Sequence, residues 1–168
     1  MDFYALVNAR HSVRAYKEAP VPEEAIRRIL ESARLAPSAA NMQPWHFFVI
    51  RDAETRQKLF PDKRQAWVAS APAILVACSC PGKAWVRGSD GKNLAEVDVA
   101  IAMEHIVLAA TEEGLGTCWI CAFDPASVRK TLGLPAEMEP VAMTPLGYPA
   151  TDPLPRKRKS LDEIVTWK

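Results

Sequence analysis

Arg10–Asp52 reads RHSVRAYKEAPVPEEAIRRILESARLAPSAANMQPWHFFVIRD, and its punctuation decides the class of fold. Pro22 stands where a first-turn proline belongs, and Ala25, Ile26, Ile29, Leu30 and Ala33 follow at the spacing of one helical face. Pro37 stops that helix. Pro37-Ser38-Ala39-Ala40-Asn41-Met42-Gln43-Pro44 reads as a loop pinned by a proline at each end. Trp45 to Ile50, rich in β-branched and aromatic residues, then predicts a strand.

Working outward, Asp2 to about Ala9 predicts a helix on the amino-terminal side. Beyond the strand, Ala53 to Phe60 and Arg64 to Ser70 predict two short helices. Ala73 to Cys78 is an uninterrupted apolar run, as a strand buried on both faces requires. Pro81 to Lys92 carries three glycines and mixed charge and reads as a long loop or lid. Leu94 to Glu112 is helical and apolar nearly all round, so it is buried in the core or at a subunit interface. Gly114 ends it as a C′ glycine would. Leu115 to Ile120 predicts a strand, Pro125 to Leu132 a short helix, and Val141 to Leu146 a last strand. The tail from Ala150 is proline-rich and basic. Helices and strands interleave without repeats. The expected class is therefore α+β, with one mixed β-sheet flanked by helices.

The chain has 168 residues, the size of one domain on a prior of roughly 100–200 residues each, and we expect a single domain over residues 1–168. Hydrophobic residues make up 49% and charged residues 24%, which places the chain among globular rather than disordered sequences. A net charge of +1 supplies no overall field toward nucleic acid or anionic lipid, so neither is an expected partner. MDFYALVNARHSVRAY lacks the apolar h-region of a signal peptide, and no apolar run reaches membrane-spanning length. Cytoplasmic placement with reduced thiols is the expectation.

The common cofactor motifs are missing. Gly114-Leu115-Gly116 lacks the third glycine of a dinucleotide fingerprint and follows a helix, and there is neither a phosphate-binding P-loop nor a nucleophile elbow. Cys118-x-x-Cys121 has the spacing of half a zinc site or of a redox dithiol. In a strand, however, the two thiols would point to opposite faces. Free cysteine commonly serves as a small core residue, and no metal is expected. His105, in an apolar helix, reads as a hydrogen-bonded core histidine.

Three separated segments can share chemistry. In an extended Arg10-His11-Ser12-Val13-Arg14, the side chains of Arg10, Ser12 and Arg14 fall on one side, offering two guanidinium forks and a hydroxyl to a phosphate. Taken alone, the segment reads as a solvated strand edge. The proline-bounded loop presents the Ser38 hydroxyl and the Asn41 and Gln43 amides, which can match the donors and acceptors of a flavin pyrimidine edge. Alone, it reads as a polar turn bonded to its own backbone. Arg156 and Arg158, in the run Arg156-Lys157-Arg158-Lys159, share one side of an extended chain and could complete a phosphate site begun by Arg10 and Arg14.

Together with EEGLGTCWICAFDP and PLGYPATDPLPRKRKSLDEIV, the opening stretch resembles the signatures of the nitroreductase family from about Asn8 to Val165. The resemblance implies an interlocked α+β homodimer with FMN at two subunit-interface sites and NAD(P)H as transient co-substrate. It places Arg10, Ser12 and Arg14 on FMN phosphate and ribityl groups, with His11 contributing main-chain contacts. It sets Arg156 and Arg158 over the phosphate. Pro37, Ser38, Ala39, Asn41 and Gln43 fall on the flavin from the other subunit, and Gln65 near the pyrimidine edge. Ile120 and Cys121 lie beside the ring, with a backbone N–H directed at flavin N5, and no side chain is an essential acid or base. Arg14 is the expected cation near N1–O2. The lid, with Trp85 and Arg87, is the expected source of selectivity. His11 stands where many members carry arginine, and Cys121 where close relatives often carry glycine. The implied activity is ping-pong reduction of nitroaromatics, quinones or similar electron-poor compounds. The same scaffold also serves dehalogenation, flavin fragmentation and dehydrogenation, and a non-catalytic flavin-binding module is a further alternative.

Overall fold

A computed structural model describes residues 1–168. The helices are α1 (Phe3–Ala9), α2 (Glu23–Arg34), α3 (Ala53–Leu59), α4 (Ala66–Ala69), α5 (Ala95–Glu112) and α6 (Pro125–Leu132); the strands are β1 (Trp45–Ile50), β2 (Ala73–Ser79), β3 (Gly116–Thr117) and β4 (Glu139–Gly147). The strands form one sheet in the order β1-β2-β4-β3, antiparallel throughout. Its parallel component is the isolated bridge between Ser12 and Thr117.

Three layers follow from the period-2 alternation of β2, every residue of which is buried. Ala73, Leu75 and Ala77 face α2 and α5, packing with Ile29, Val99, Met103 and Ile106. Ile74, Val76 and Cys78 face the other way, packing with Leu59, Val68, Val128 and Met143. A strand that feeds two cores has no polar face, hence the unbroken apolar run. Aspartates start three of the helices: Asp2, Asp52 and Asp124 accept the N–H groups of Ala5, Thr55 and Ala126, satisfying donors that the first turn leaves free. His105 binds α2 to α5, its Nδ1 at 2.9 Å from the Ser32 carbonyl while the Ser32 hydroxyl donates to the His105 carbonyl.

One expectation needs correction. The strand predicted over Leu115 to Ile120 is interrupted: β3 ends at Thr117, and only Ile120 pairs again, exchanging both main-chain bonds with Met143 at 2.9 Å. The cause is Pro145. It lies across from Cys118 in the register set by Thr117–Leu146 and Ile120–Met143, and it has no N–H to donate. The Cys118 carbonyl gains no ladder bond from it, and the Cys118 N–H donates to the Thr144 hydroxyl at 3.0 Å. The long loop expected over Pro81 to Lys92 is a loop, and it closes on itself. The Arg87 N–H donates to the Lys92 carbonyl and the Leu94 N–H to the Trp85 carbonyl, while Arg87 and Asp90 form an ion pair at 2.5 Å. No helix is long and apolar enough to cross a membrane.

Candidate functional site

Arg10–Arg14 leaves the C-terminus of α1 as an extended strip laid against β3. The Val13 N–H donates to the Thr117 carbonyl at 2.8 Å. A Cβ on Gly116 would lie 2.6 Å from the Val13 side chain, so only glycine lets the strip come this close. Val13 is buried while Ser12 and Arg14 remain exposed. Further along, the Lys17 N–H donates to the Tyr148 carbonyl and the Ala150 N–H to the Ala15 carbonyl. Those two bonds bring the start of the tail alongside the N-terminal strip.

Arginines from both ends of the chain consequently meet. Arg10, His11, Ser12, Arg14, Arg156 and Arg158 line one cavity of about 290 Å³ with Leu154 and Pro155. None of the four arginines belongs to an ion pair. Like charges held together without counter-charge repel, and a bound anion relieves that repulsion. The four are not equivalent. Arg156 donates to the carbonyls of Asn8 and Arg10 at the end of α1, so much of its fork is occupied by main chain. The Arg10 and Arg14 guanidinium groups make no hydrogen bond within the chain and keep all their donors.

The proline-bounded loop lines no part of that cavity. Ala40, Asn41 and Gln43 have φ of 49, 56 and 51°, left-handed values uncommon outside glycine. The Ser38 hydroxyl accepts the Gln43 N–H at 2.9 Å, and the Gln43 amide donates to the Asn41 carbonyl and side-chain oxygen at 3.2 Å. The polar turn bonded to its own backbone is thus realised. Pro37 is exposed, and the Ala39 N–H donates to Asp98 of α5 at 2.9 Å. Asp98 escaped the sequence reading. Its signal was an acid on the same face as Ala95 and Ala102, where α5 is otherwise apolar.

A third group stands at the end of the broken strand. Gln65 donates to the Ala122 carbonyl at 2.8 Å. Ile120 is buried and its N–H is consumed by Met143, whereas the Cys121 N–H next to it, like that of Ala122, has no acceptor in the chain. The Cys121 thiol is exposed and accepts the Trp119 indole N–H at 3.1 Å, whereas Cys118 is buried, although neither lies in the strand from which opposite facing was expected. Burial pushes the Cys78 thiol up to about 12, which leaves it protonated and unreactive at neutral pH.

Fold and site together define an α+β protein with an unneutralised anion cradle and two further polar clusters on separate elements. The nitroreductase family model matches residues 7–67 and 60–148, and the chain belongs to the nitroreductase family. It is similar to a nitroreductase family protein of Clostridium difficile 630, with a TM-score of 0.93, 34% identity, and 100% and 99% of the two chains covered. It is 33% identical over 189 residues to an NADH dehydrogenase of Thermus thermophilus, covering 95% of this chain and 92% of the relative. It is 30% identical over 177 residues to a 5,6-dimethylbenzimidazole synthase of Rhodospirillum rubrum, covering 90% and 84%.

Proposed function

We propose that the protein is a homodimeric, FMN-dependent NAD(P)H oxidoreductase that reduces nitroaromatic, quinone or similar electron-poor compounds by a ping-pong mechanism. The observation that carries this reading is the convergence of four unpaired arginines from the two chain ends on one cavity. Arg10 and Arg14 have free forks suited to a phosphate, and the exposed Ser12 hydroxyl adds a donor. Arg158 joins from the tail. Arg156 acts one step back, fixing the tail and the end of α1 in mutual position. When bound, FMN would supply the redox chemistry, taking electrons from NAD(P)H and giving them to the acceptor.

The chain's own contributions are binding, orientation and electrostatics. The Cys121 N–H is a donor available to the reactive edge of an isoalloxazine ring, and Arg14 a cation available to charge accumulating at N1–O2. Pro37, Ser38, Ala39, Asn41 and Gln43 would meet the ring from the partner subunit, consistent with their separation from the arginine cavity within one chain. Gln65 holds the Ala122 carbonyl and so fixes the segment after Ile120. The fit is testable by eye. Purified protein should be yellow, and its flavin absorption should bleach with NADH or NADPH under anaerobic conditions and return on adding a quinone. A colourless protein that takes up no FMN would refute the assignment.

The relative from Rhodospirillum rubrum favours a second reading, in which the same scaffold runs a different flavin reaction. Mass-spectrometric analysis of products formed with bound flavin separates the two: reduced acceptor and intact FMN under the first, altered flavin under the second.

A further inference from the structure

Asp98 is the only charged side chain among the buried residues, at 2% exposure in the first turn of α5. Its Oδ1 accepts the Ala39 N–H at 2.9 Å, while its Oδ2 meets no donor. A buried carboxylate with half of its bonding capacity unused is costly, and the positive end of the α5 dipole offsets only part of that cost. An apolar residue would pack there more favourably, unless the carboxylate does something an apolar residue could not.

The loop beside it shows what that is. Three non-glycine residues, Ala40, Asn41 and Gln43, are held in left-handed conformations, which persist only where the surroundings over-determine them. The bonds that keep them so are mostly internal: Asn41 N–H to the Ser38 carbonyl, Met42 N–H to the Ala39 carbonyl, and Gln43 N–H to the Ser38 hydroxyl. Asp98 supplies the side-chain tether from outside the loop. It grips Ala39, next to the first left-handed residue, from the first turn of an 18-residue helix.

We propose that Asp98 is the positioning residue that holds the Ser38–Gln43 loop in its left-handed course, so that the loop meets the flavin ready-shaped. The claim rests on the FMN reading for its functional half; the tether itself does not. An arrangement fixed in advance spares the ordering cost on binding.

Asp98→Leu and Asp98→Asn in the full-length protein test it. In flavin-free protein, Asp98→Leu should speed hydrogen exchange at the Ala39 amide about tenfold or more, the loss of a bond to a charged group. Its FMN dissociation constant should rise by a similar factor, and the absorption maximum of bound flavin should shift. Asp98→Asn, which keeps a neutral acceptor, should show a smaller rise of about threefold in Ala39 exchange, charge-assisted bonds being roughly twice as strong as neutral ones. Unchanged Ala39 exchange in Asp98→Asn overturns the proposal even if the leucine variant fails to fold. So does an Asp98→Leu protein that binds FMN within twofold of wild type and with an unshifted spectrum. A wild-type protein that takes up no flavin removes the functional reading, and the Ala39 exchange rates then decide the tether alone.

Discussion

Arg14 is exposed, free of any partner in the chain, and set beside Arg10 and Arg158 at the same cavity, so its charge is available to a ligand and adds nothing evident to folding. Arg14→Ala should leave the melting temperature of flavin-free protein unchanged and weaken FMN binding about 10- to 100-fold, the effect of losing hydrogen bonds to a charged group. Arg14→Lys should recover only part of it, since an ammonium lacks the planar fork. Fluorescence titration of apoprotein with FMN measures both, and equal affinities in all three proteins would contradict the cradle. Burial also makes a pH prediction. Cys78 is raised from its ordinary 9.0 to about 12 and the Tyr16 hydroxyl is raised too, both chiefly by burial. The folded state therefore keeps protons that the unfolded chain releases. The Cys78 share of that stabilisation is whole below about pH 9 and is lost as pH climbs toward 12, while the Tyr16 share begins to fall only above about pH 10. Urea midpoints should fall across that interval, and Cys78→Val should flatten the fall. Asp98 was legible as an acid on the buried face of an apolar helix, but not its purpose, because the loop it tethers is 59 residues away in sequence.

The elements follow the sequence wherever one local rule governs. The helix after Pro22 and the helix over Leu94 to Glu112 emerge within a residue or two of their periodicity, because burial of one face and a clear stop signal agree. Where a partner element decides, the local reading falls short. The strand after Leu115 splits because Pro145, distant in sequence, withholds a ladder bond. The arginine strip belongs to this second kind, since alternation foretold which side chains share a side but not that β3 carries them. Gly116 makes that support testable. In Gly116→Ala, a Cβ 2.6 Å from Val13 must push the strip away, at a cost of about 1–3 kcal/mol for an overpacked contact. Both the melting temperature and FMN affinity should drop, with the affinity loss persisting at temperatures where the protein is fully folded. A variant that loses stability yet binds FMN as before would show that the strip need not rest on β3.

At the scale of the whole molecule, too much apolar surface remains uncovered for one chain. No side chain of α1 is buried, and Phe3, Tyr4 and Val7 are 63, 83 and 44% exposed. A seven-residue helix is too short to persist in water unless its face is packed. Val97 on the outer side of α5 is open, and every residue from Thr151 to Lys168 is exposed, including Leu161, Ile164 and Trp167. Along the sheet, β1 is an edge strand with an unpaired side, a feature that proteins cover or blunt. A second copy would satisfy all of these at once: α1 and the outer face of α5 as a shared apolar seam, the tail laid across the partner. It would also bring one subunit's Ser38–Gln43 loop toward the other's arginine cavity, which a single chain keeps apart. We therefore predict that light scattering gives twice the mass of the chain, and that the melting temperature falls on dilution as linkage to assembly requires. Removing residues 160–168, which contribute no buried side chain within one subunit, should leave the core folded but shift the protein toward monomer and release FMN. Intact flavin binding by a truncated monomer would place the whole cofactor site within one chain and refute the dimeric arrangement.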